Sequence, residues 1–212
     1  MFVSKNKNLL FFHIPKTAGT SLRTYLYENC KDSKYFTQLT FSMFVQQYPN
    51  SGFRWRTTKQ AFELPAYLHL SQPESNFIIK NLNFNLENFT ELVIVRNPYD
   101  RLISYYNFVL YKNYNDMNKF LDDLELNKID PNLHFRYQLD YIKNPVTKNL
   151  KIFKYENLID CEKFLQEIIG TDKVIPKMNI TKNSYIETLE PYTKERIYKL
   201  FEEEFDILEY NK

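Results

Sequence analysis

Short apolar runs alternate along the chain with stripes of apolar residues at helical spacing. Residues 9–14 and 92–95 are nearly continuous apolar runs, a pattern typical of strands buried on both faces. After the first run, apolar residues recur three and four positions apart, which predicts a helix with one buried face. Its predicted buried residues are Leu22, Tyr25, Leu26 and Cys30. This alternation favours an α/β fold with a mainly parallel central sheet flanked by helices.

Weaker signals predict the remaining elements. Asn115 and Asp116 can cap a helix, and Asn157 with Asp160 can open another that Gly170 ends. Further helices are predicted over 36–48, 73–82 and 193–208, and further strands over 65–70 and 150–155. We expect residues 131–142 to be partly helical. Residues 1–8 are predicted to form a polar segment that leads into the first strand, and residues 175–184 a loop. No repeat or linker divides the sequence, so we expect a single domain over residues 1–212.

Composition and charge narrow the class of protein. A hydrophobic content of 43% supports a full core and excludes general disorder. The net charge of +2 is too small to indicate nucleic-acid or membrane binding by bulk electrostatics. Cys30 and Cys161 lack metal-ligand spacing and fall on apolar helix faces, which predicts reduced core residues. No apolar run approaches the roughly 20 residues of a membrane span, and no signal peptide is visible, so we expect a cytoplasmic protein.

Residues 15–21 form a short polar loop between the first strand and the first helix. It contains Lys16, three hydroxyl residues and Gly19, which is one of only three glycines in the chain. A strand, a tight loop and a helix N-terminus together place free N–H groups around an anion. The nucleotide loop G-x-x-x-x-G-K-[ST] does not fit, because Pro15 precedes the lysine and the glycine follows it. The alternative is an ordinary strand–turn–helix with a solvated lysine.

A second candidate anion segment follows the strand at 92–95. Arg96 ends that strand, Asn97 is a good N-cap, and Pro98 suits the first helical position. Arg101 and Ser104 are three residues apart, off the apolar stripe, so the helix start offers Arg96 and Ser104 to one anion with Arg101 nearby. Phosphate-transfer NTPases place an aspartate at such a strand end to hold Mg²⁺, and an arginine there favours a phosphate instead. The alternative is a capped helix with surface arginines.

Taken together, the two segments resemble the sulfotransferases that use 3′-phosphoadenosine 5′-phosphosulfate (PAPS). The string His13-Ile-Pro-Lys-Thr-Ala-Gly-Thr-Ser21 is similar to the start of the carbohydrate sulfotransferase type 2 family, and residues 96–106 resemble its 3′-phosphate segment. Weaker matches are His69, 134–138, 153–158 and 176–179. The resemblance implies a P-loop-like sulfotransferase fold and a PAPS donor held at both phosphates. The implied donor-binding residues are Lys16, Thr17, Ala18, Gly19, Thr20, Ser21, Arg96 and Ser104.

The resemblance also implies roles in catalysis. Lys16 would stabilise the leaving phosphate oxygen, and no metal is required. Histidine is the natural general base for a sugar hydroxyl; the family position favours His69, while His13 and His134 remain open. Implied acceptor contacts are His134, Arg136 and Gln138.

We therefore expect a sulfotransferase that moves sulfonate from PAPS to a hydroxyl, which the family resemblance implies is on a carbohydrate. A nucleotide-dependent kinase is one alternative, and it predicts dependence on ATP and Mg²⁺. A non-catalytic adenosine-nucleotide-binding homologue is the other, and it predicts nucleotide binding without turnover.

Overall fold

A four-stranded mixed sheet forms the centre of the protein. The computed structural model describes residues 2–30, 85–108, 110–126, 137–178 and 188–212. Strand order in the sheet is β1-β2-β3-β4. The strands are β1 (Phe2–Ser4), β2 (Leu9–Phe12), β3 (Thr90–Val95) and β4 (Asn149–Lys154). β1 pairs antiparallel with β2, whereas β2, β3 and β4 run parallel, which confirms the predicted α/β class with a mainly parallel sheet.

Five α-helices occur in the described part of the chain. They are α1 (Gly19–Asn29), α2 (Pro98–Phe108), α3 (Met117–Glu125), α4 (Leu158–Ile169) and α5 (Pro191–Ile207), with short 3₁₀ turns at Leu110–Lys112, Gln138–Tyr141 and Tyr155–Asn157. None of these described helices has both the length and the apolar character that crossing a membrane requires.

The two central strands bury both faces, because side chains alternate across a sheet. On one face, Leu10 and Phe12 of β2 pack with Leu139 and Tyr141. On the other face, Leu9 and Phe11 lie in a second cluster with Cys30, which directly follows α1, and with residues of α1 and α4: Leu22, Tyr25, Leu26, Cys161, Leu165 and Ile169. The continuous apolar run at residues 9–14 therefore contributes side chains to two hydrophobic clusters, one on each face of the sheet.

A third cluster joins the helices that follow β3. Tyr105 and Tyr106 of α2 pack with Phe120 of α3 and with Ile197 and Phe205 of α5. This packing docks the C-terminal helix against the helix that begins directly after Arg96, so α5 lies close to one of the two predicted anion segments.

Several local predictions are confirmed. Asp116 caps α3, since its side chain accepts the Asn118 N–H at 2.9 Å. α4 ends at Gly170 as predicted, since its φ of 73° is the left-handed cap conformation. The helix begins after Asn157, but the expected cap is not made, because the Asn157 amide donates to the Asp160 carboxylate rather than serving a backbone N–H. Cys30 and Cys161 are buried thiols.

Other local predictions are wrong or lie outside the described residues. The lead-in forms β1, because Phe2 and Val3 are buried against β2 rather than solvated. α1 begins at Gly19, within the loop predicted over residues 15–21, and Ala18 provides no side-chain cap. The predicted elements at 36–48, 65–70 and 73–82 lie outside the described residues.

Candidate anion-binding site

The loop after β2 turns through two left-handed residues that are not glycines. Lys16 has a φ of 70° and Ala18 a φ of 64°, a conformation that is uncommon for residues with a Cβ. The Thr17 hydroxyl donates to the Ile14 carbonyl at 2.9 Å and closes the turn. The loop therefore delivers the lysine to the start of α1, where N–H groups are free to meet an anion.

Gly19 is needed for close packing and not for the turn. A Cβ on Gly19 would lie 1.6 Å from Cδ2 and 1.8 Å from Nε2 of His13. The His13 ring is buried and stacks on Phe11 with centroids 6.1 Å apart. The strand-end histidine thus lies against the first residue of α1, and only glycine leaves room for it.

The second segment is anchored to the first by an arginine that we expected on a polar face. Arg101 is instead buried, and its Nε donates to the Pro15 carbonyl at 3.1 Å. Burial lowers the pKa of Arg101, and the nearby carboxylate of Glu204 opposes that shift. Asn97 caps α2 as predicted, since its side chain accepts the Tyr99 N–H at 2.9 Å.

Arg96 reaches from the end of β3 across to the lysine loop. Its Nη1 donates to the Lys16 carbonyl at 3.2 Å, and its guanidinium lies 4.3 Å from the centroid of the Tyr155 ring. The Nε of Arg96 is buried and has no hydrogen-bond partner among the described residues. A buried donor normally has a partner, so this N–H suits an anionic ligand.

Gln138 holds the backbone of Arg96. Its Oε1 accepts the Arg96 N–H at 2.8 Å, and its Nε2 donates to the Arg96 carbonyl at 2.9 Å. Gln138 is fully buried and also contacts Glu204. The Gln138 amide, which the resemblance implies for acceptor contact, is thus hydrogen-bonded to neighbours inside the protein.

Lys16 and Arg96 line the same cavity, which has a volume of about 1140 Å³. The loop and helix α1 form one side, and the start of α4 with residues 174–178 forms another. Besides these two cations, the described lining residues are His13, Pro15, Ala18, Gly19, Thr20, Ser21, Phe108, Tyr155, Glu156, Leu158, Ile159, Glu162, Val174, Ile175, Pro176, Lys177 and Met178. One molecule with two anionic groups can thus meet both cations.

The electrostatics of the cavity favour an anion. Burial, and secondarily the charge of Arg96, lower the pKa of Lys16 to about 8. The ammonium group lies 4.0 Å from the centroid of the Phe108 ring, an arrangement that stabilises a cation with little solvent. Burial therefore disfavours the charged form of Lys16 in the cavity, and a bound anion would favour that form and raise its pKa again.

The other residues predicted to bind the donor do not all line the cavity. Thr20 and Ser21 line the cavity, and the Ser21 hydroxyl accepts the Met178 N–H at 3.1 Å. Thr17 is buried with its hydroxyl committed to the loop. Ser104 is half-buried on α2 and is not among the described residues that line the cavity. His69, His134 and Arg136 lie outside the described residues.

Sequence reasoning assigned no role to Glu156 and Tyr210 in this site. One carboxylate oxygen of Glu156 accepts the Asn97 N–H at 2.8 Å, and the other accepts the Tyr210 hydroxyl at 2.9 Å. Burial, and secondarily the charge of Glu156, raises the pKa of Tyr210. The family match at 153–158 was the sequence signal that included Glu156. No local pattern predicts that Glu156 pairs with Asn97, which is 59 residues away.

Comparisons with known proteins bear on the family of the chain. The crystal structure of a sulfotransferase from Alicyclobacillus acidocaldarius is similar at 14% sequence identity and a TM-score of 0.48, over 95% of this chain and 94% of that one. No curated protein matches the sequence significantly. The model described as the sulfotransferase family matches residues 1–211, which is nearly the whole chain. The chain therefore belongs to the sulfotransferase family, as its two anion segments indicated.

Proposed function

We propose that this protein is an enzyme that transfers sulfonate from PAPS to an acceptor hydroxyl, on a carbohydrate. The observation that carries the proposal is the single cavity that Lys16 and Arg96 share. The two residues follow the carboxyl ends of adjacent parallel strands, which is where α/β proteins bind nucleotides.

The two anionic ends of PAPS match the two parts of the cavity. The N–H groups at the start of α1, with Lys16, Thr20 and Ser21, suit the 5′-phosphosulfate. Arg96 suits the 3′-phosphate, because its buried Nε is a charged donor in need of an acceptor. Ser104 is the proposed second contact of that phosphate, as the family resemblance implies.

The reaction breaks the bond between sulfur and the 5′-phosphate oxygen and forms a bond between sulfur and the acceptor oxygen. The 5′-phosphate oxygen gains negative charge as it leaves, and the Lys16 ammonium would stabilise it. Loss of such a donor costs about 3–4 kcal/mol of transition-state stabilisation. The acceptor proton passes to a general base, for which we propose His69. Adenosine 3′,5′-bisphosphate and the sulfate ester are the products.

Thermal shift with a panel of nucleotides tests the donor. A ligand at about 100-fold over its Kd adds roughly 2.7 kcal/mol of stability, and a domain of this size gains roughly 2–4 °C in Tm per kcal/mol. We expect adenosine 3′,5′-bisphosphate to raise Tm by roughly 5–10 °C and ATP–Mg²⁺ and GTP–Mg²⁺ to have little effect. A shift by ATP–Mg²⁺ alone would favour the kinase alternative.

Turnover is tested with sulfur-labelled PAPS and a panel of glycans and simple alcohols. Lys16→Met should lose roughly 100-fold or more in kcat, whereas Lys151→Met, at an exposed lysine of β4, should keep wild-type activity. His69→Ala should lose most turnover and keep binding of adenosine 3′,5′-bisphosphate. Binding without turnover on any acceptor would support the non-catalytic alternative, and transfer only to simple alcohols would reject the carbohydrate assignment.

A further inference from the structure

A buried carboxylate on the C-terminal helix lies at the centre of a polar network beneath the cavity. Glu204 of α5 is fully buried. One of its oxygens accepts the backbone N–H of Gln138, and the other accepts the Gln138 Nε2 at 2.9 Å. Because burying a carboxylate is costly unless it is well partnered, a leucine or phenylalanine would be the simpler choice at this position for packing alone.

The carboxylate fixes which way the Gln138 amide points. Glu204 can only accept hydrogen bonds when ionised, so it requires the NH₂ of the amide. The amide oxygen is then left for the Arg96 N–H, which it accepts at 2.8 Å, while Nε2 also donates to the Arg96 carbonyl at 2.9 Å. The backbone of Arg96 is thus held at both polar groups by a side chain that Glu204 orients.

The same carboxylate balances the charge of the arginine that holds the lysine loop. Arg101 is buried, and its Nε donates to the Pro15 carbonyl at 3.1 Å, next to Lys16. Burial raises the pKa of Glu204, and the positive charge of Arg101 opposes that shift. Glu204 is therefore hydrogen-bonded to the residue that holds Arg96, and its charge acts on the arginine that holds the lysine loop.

We propose that Glu204 is a positioning residue that orients Gln138, and through it holds Arg96 and the lysine loop that Arg96 contacts. It does not line the cavity and touches no reacting group. A residue 108 positions after Arg96 in the sequence thereby helps to position the anion site.

Hydrogen–deuterium exchange tests this assignment without any ligand. Glu204→Gln removes the charge and turns one acceptor into a donor facing Gln138, which should speed exchange in residues 13–20 and 93–99 by about tenfold. Ile197→Ala is the matched control, since Ile197 is a fully buried apolar residue of the same helix. It should lower Tm while leaving exchange in both segments close to that of the wild type.

Ligand selectivity supplies a second readout, which rests on the proposed function. Wild-type protein should prefer adenosine 3′,5′-bisphosphate to adenosine 5′-monophosphate, because Arg96 meets the additional phosphate. Glu204→Gln should reduce the ratio of the two binding affinities by about tenfold. A purely structural residue would lower Tm without changing this ratio, as we expect for Ile197→Ala.

The outcomes separate the two proposals. Faster exchange with no nucleotide preference in the wild type supports the positioning role and rejects the assigned donor. Unchanged exchange in folded Glu204→Gln overturns the positioning role whatever the wild type binds. Should that variant not fold, Glu204→Asp keeps the charge but is one methylene shorter; exchange equal to the wild type in that variant would also overturn the proposal.

Discussion

Replacing Gly19 by alanine tests the close packing between the first helix and the strand-end histidine. The added Cβ would lie 1.6 Å from the His13 ring. Because ordinary contacts between such atoms are about 3.5–4.0 Å, the ring or the loop must move by roughly 2 Å. Phe11 stacks on that ring, so the displacement cannot stay local.

Gly19→Ala should lower both the stability of the protein and its catalytic activity. Overpacking of this kind costs about 1–3 kcal/mol, which corresponds to a fall in Tm of roughly 2–12 °C for a domain of this size. His13 and Lys16 both line the cavity, and a misplacement of about 1 Å can reduce catalysis roughly 100-fold. Differential scanning calorimetry and kcat/KM for PAPS therefore measure the two effects separately.

A second glycine provides the control. Gly170 has a φ of +73° and open space around its Cβ position, so Gly170→Ala introduces backbone strain without a clash. That variant should lose about 1–2 kcal/mol and retain kcat/KM. The double variant Gly19→Ala/His13→Ala should recover part of the Tm that Gly19→Ala loses, because it removes the obstructing ring. Wild-type Tm and kcat/KM in Gly19→Ala would refute the packing argument.

Three further predictions concern the same region and the sheet. The pKa of Lys16 is lowered to about 8 by burial and the charge of Arg96, so binding of adenosine 3′,5′-bisphosphate should weaken as pH rises above 8, as calorimetric titration would show; a flat profile from pH 7 to 9.5 would contradict this. Asn97→Ala removes the cap of α2 and should cost about 0.5–2 kcal/mol in chemical denaturation, whereas an unchanged midpoint would show that the Tyr99 N–H finds another acceptor. Burial raises the pKa of Glu91 from 4.5 to about 7, so the stability of the wild type should fall as pH rises from 4.5 to 7, because only the unfolded state loses the proton in that range. Glu91→Gln should remove this part of the pH dependence. An unchanged slope of Tm against pH in that variant would contradict the prediction.

Local physics allowed much of the fold to be predicted. Apolar runs fix strands that are buried on both faces, and helical stripes fix the buried sides of α1 and α3. Caps depend on neighbouring residues only, which is why Asn97, Asp116 and Gly170 could be identified in advance. Both cationic segments were visible for the same reason, because each follows a strand directly.

Contacts between distant segments could be decided only by the tertiary structure. The sequence gives no sign that Arg101 and Gln138 are buried, since their usual place is at the surface, nor that Glu204 accepts hydrogen bonds from Gln138. β1 was missed because three residues show too little periodicity and depend on β2 for burial. The sequence determined which residues carry charge at the two strand ends. The packing of α2 against α5 and the hydrogen bonds of Arg101 and Gln138 determined how those charges are held in one cavity, because a hydrogen bond between residues far apart in the chain leaves no periodic trace in the sequence.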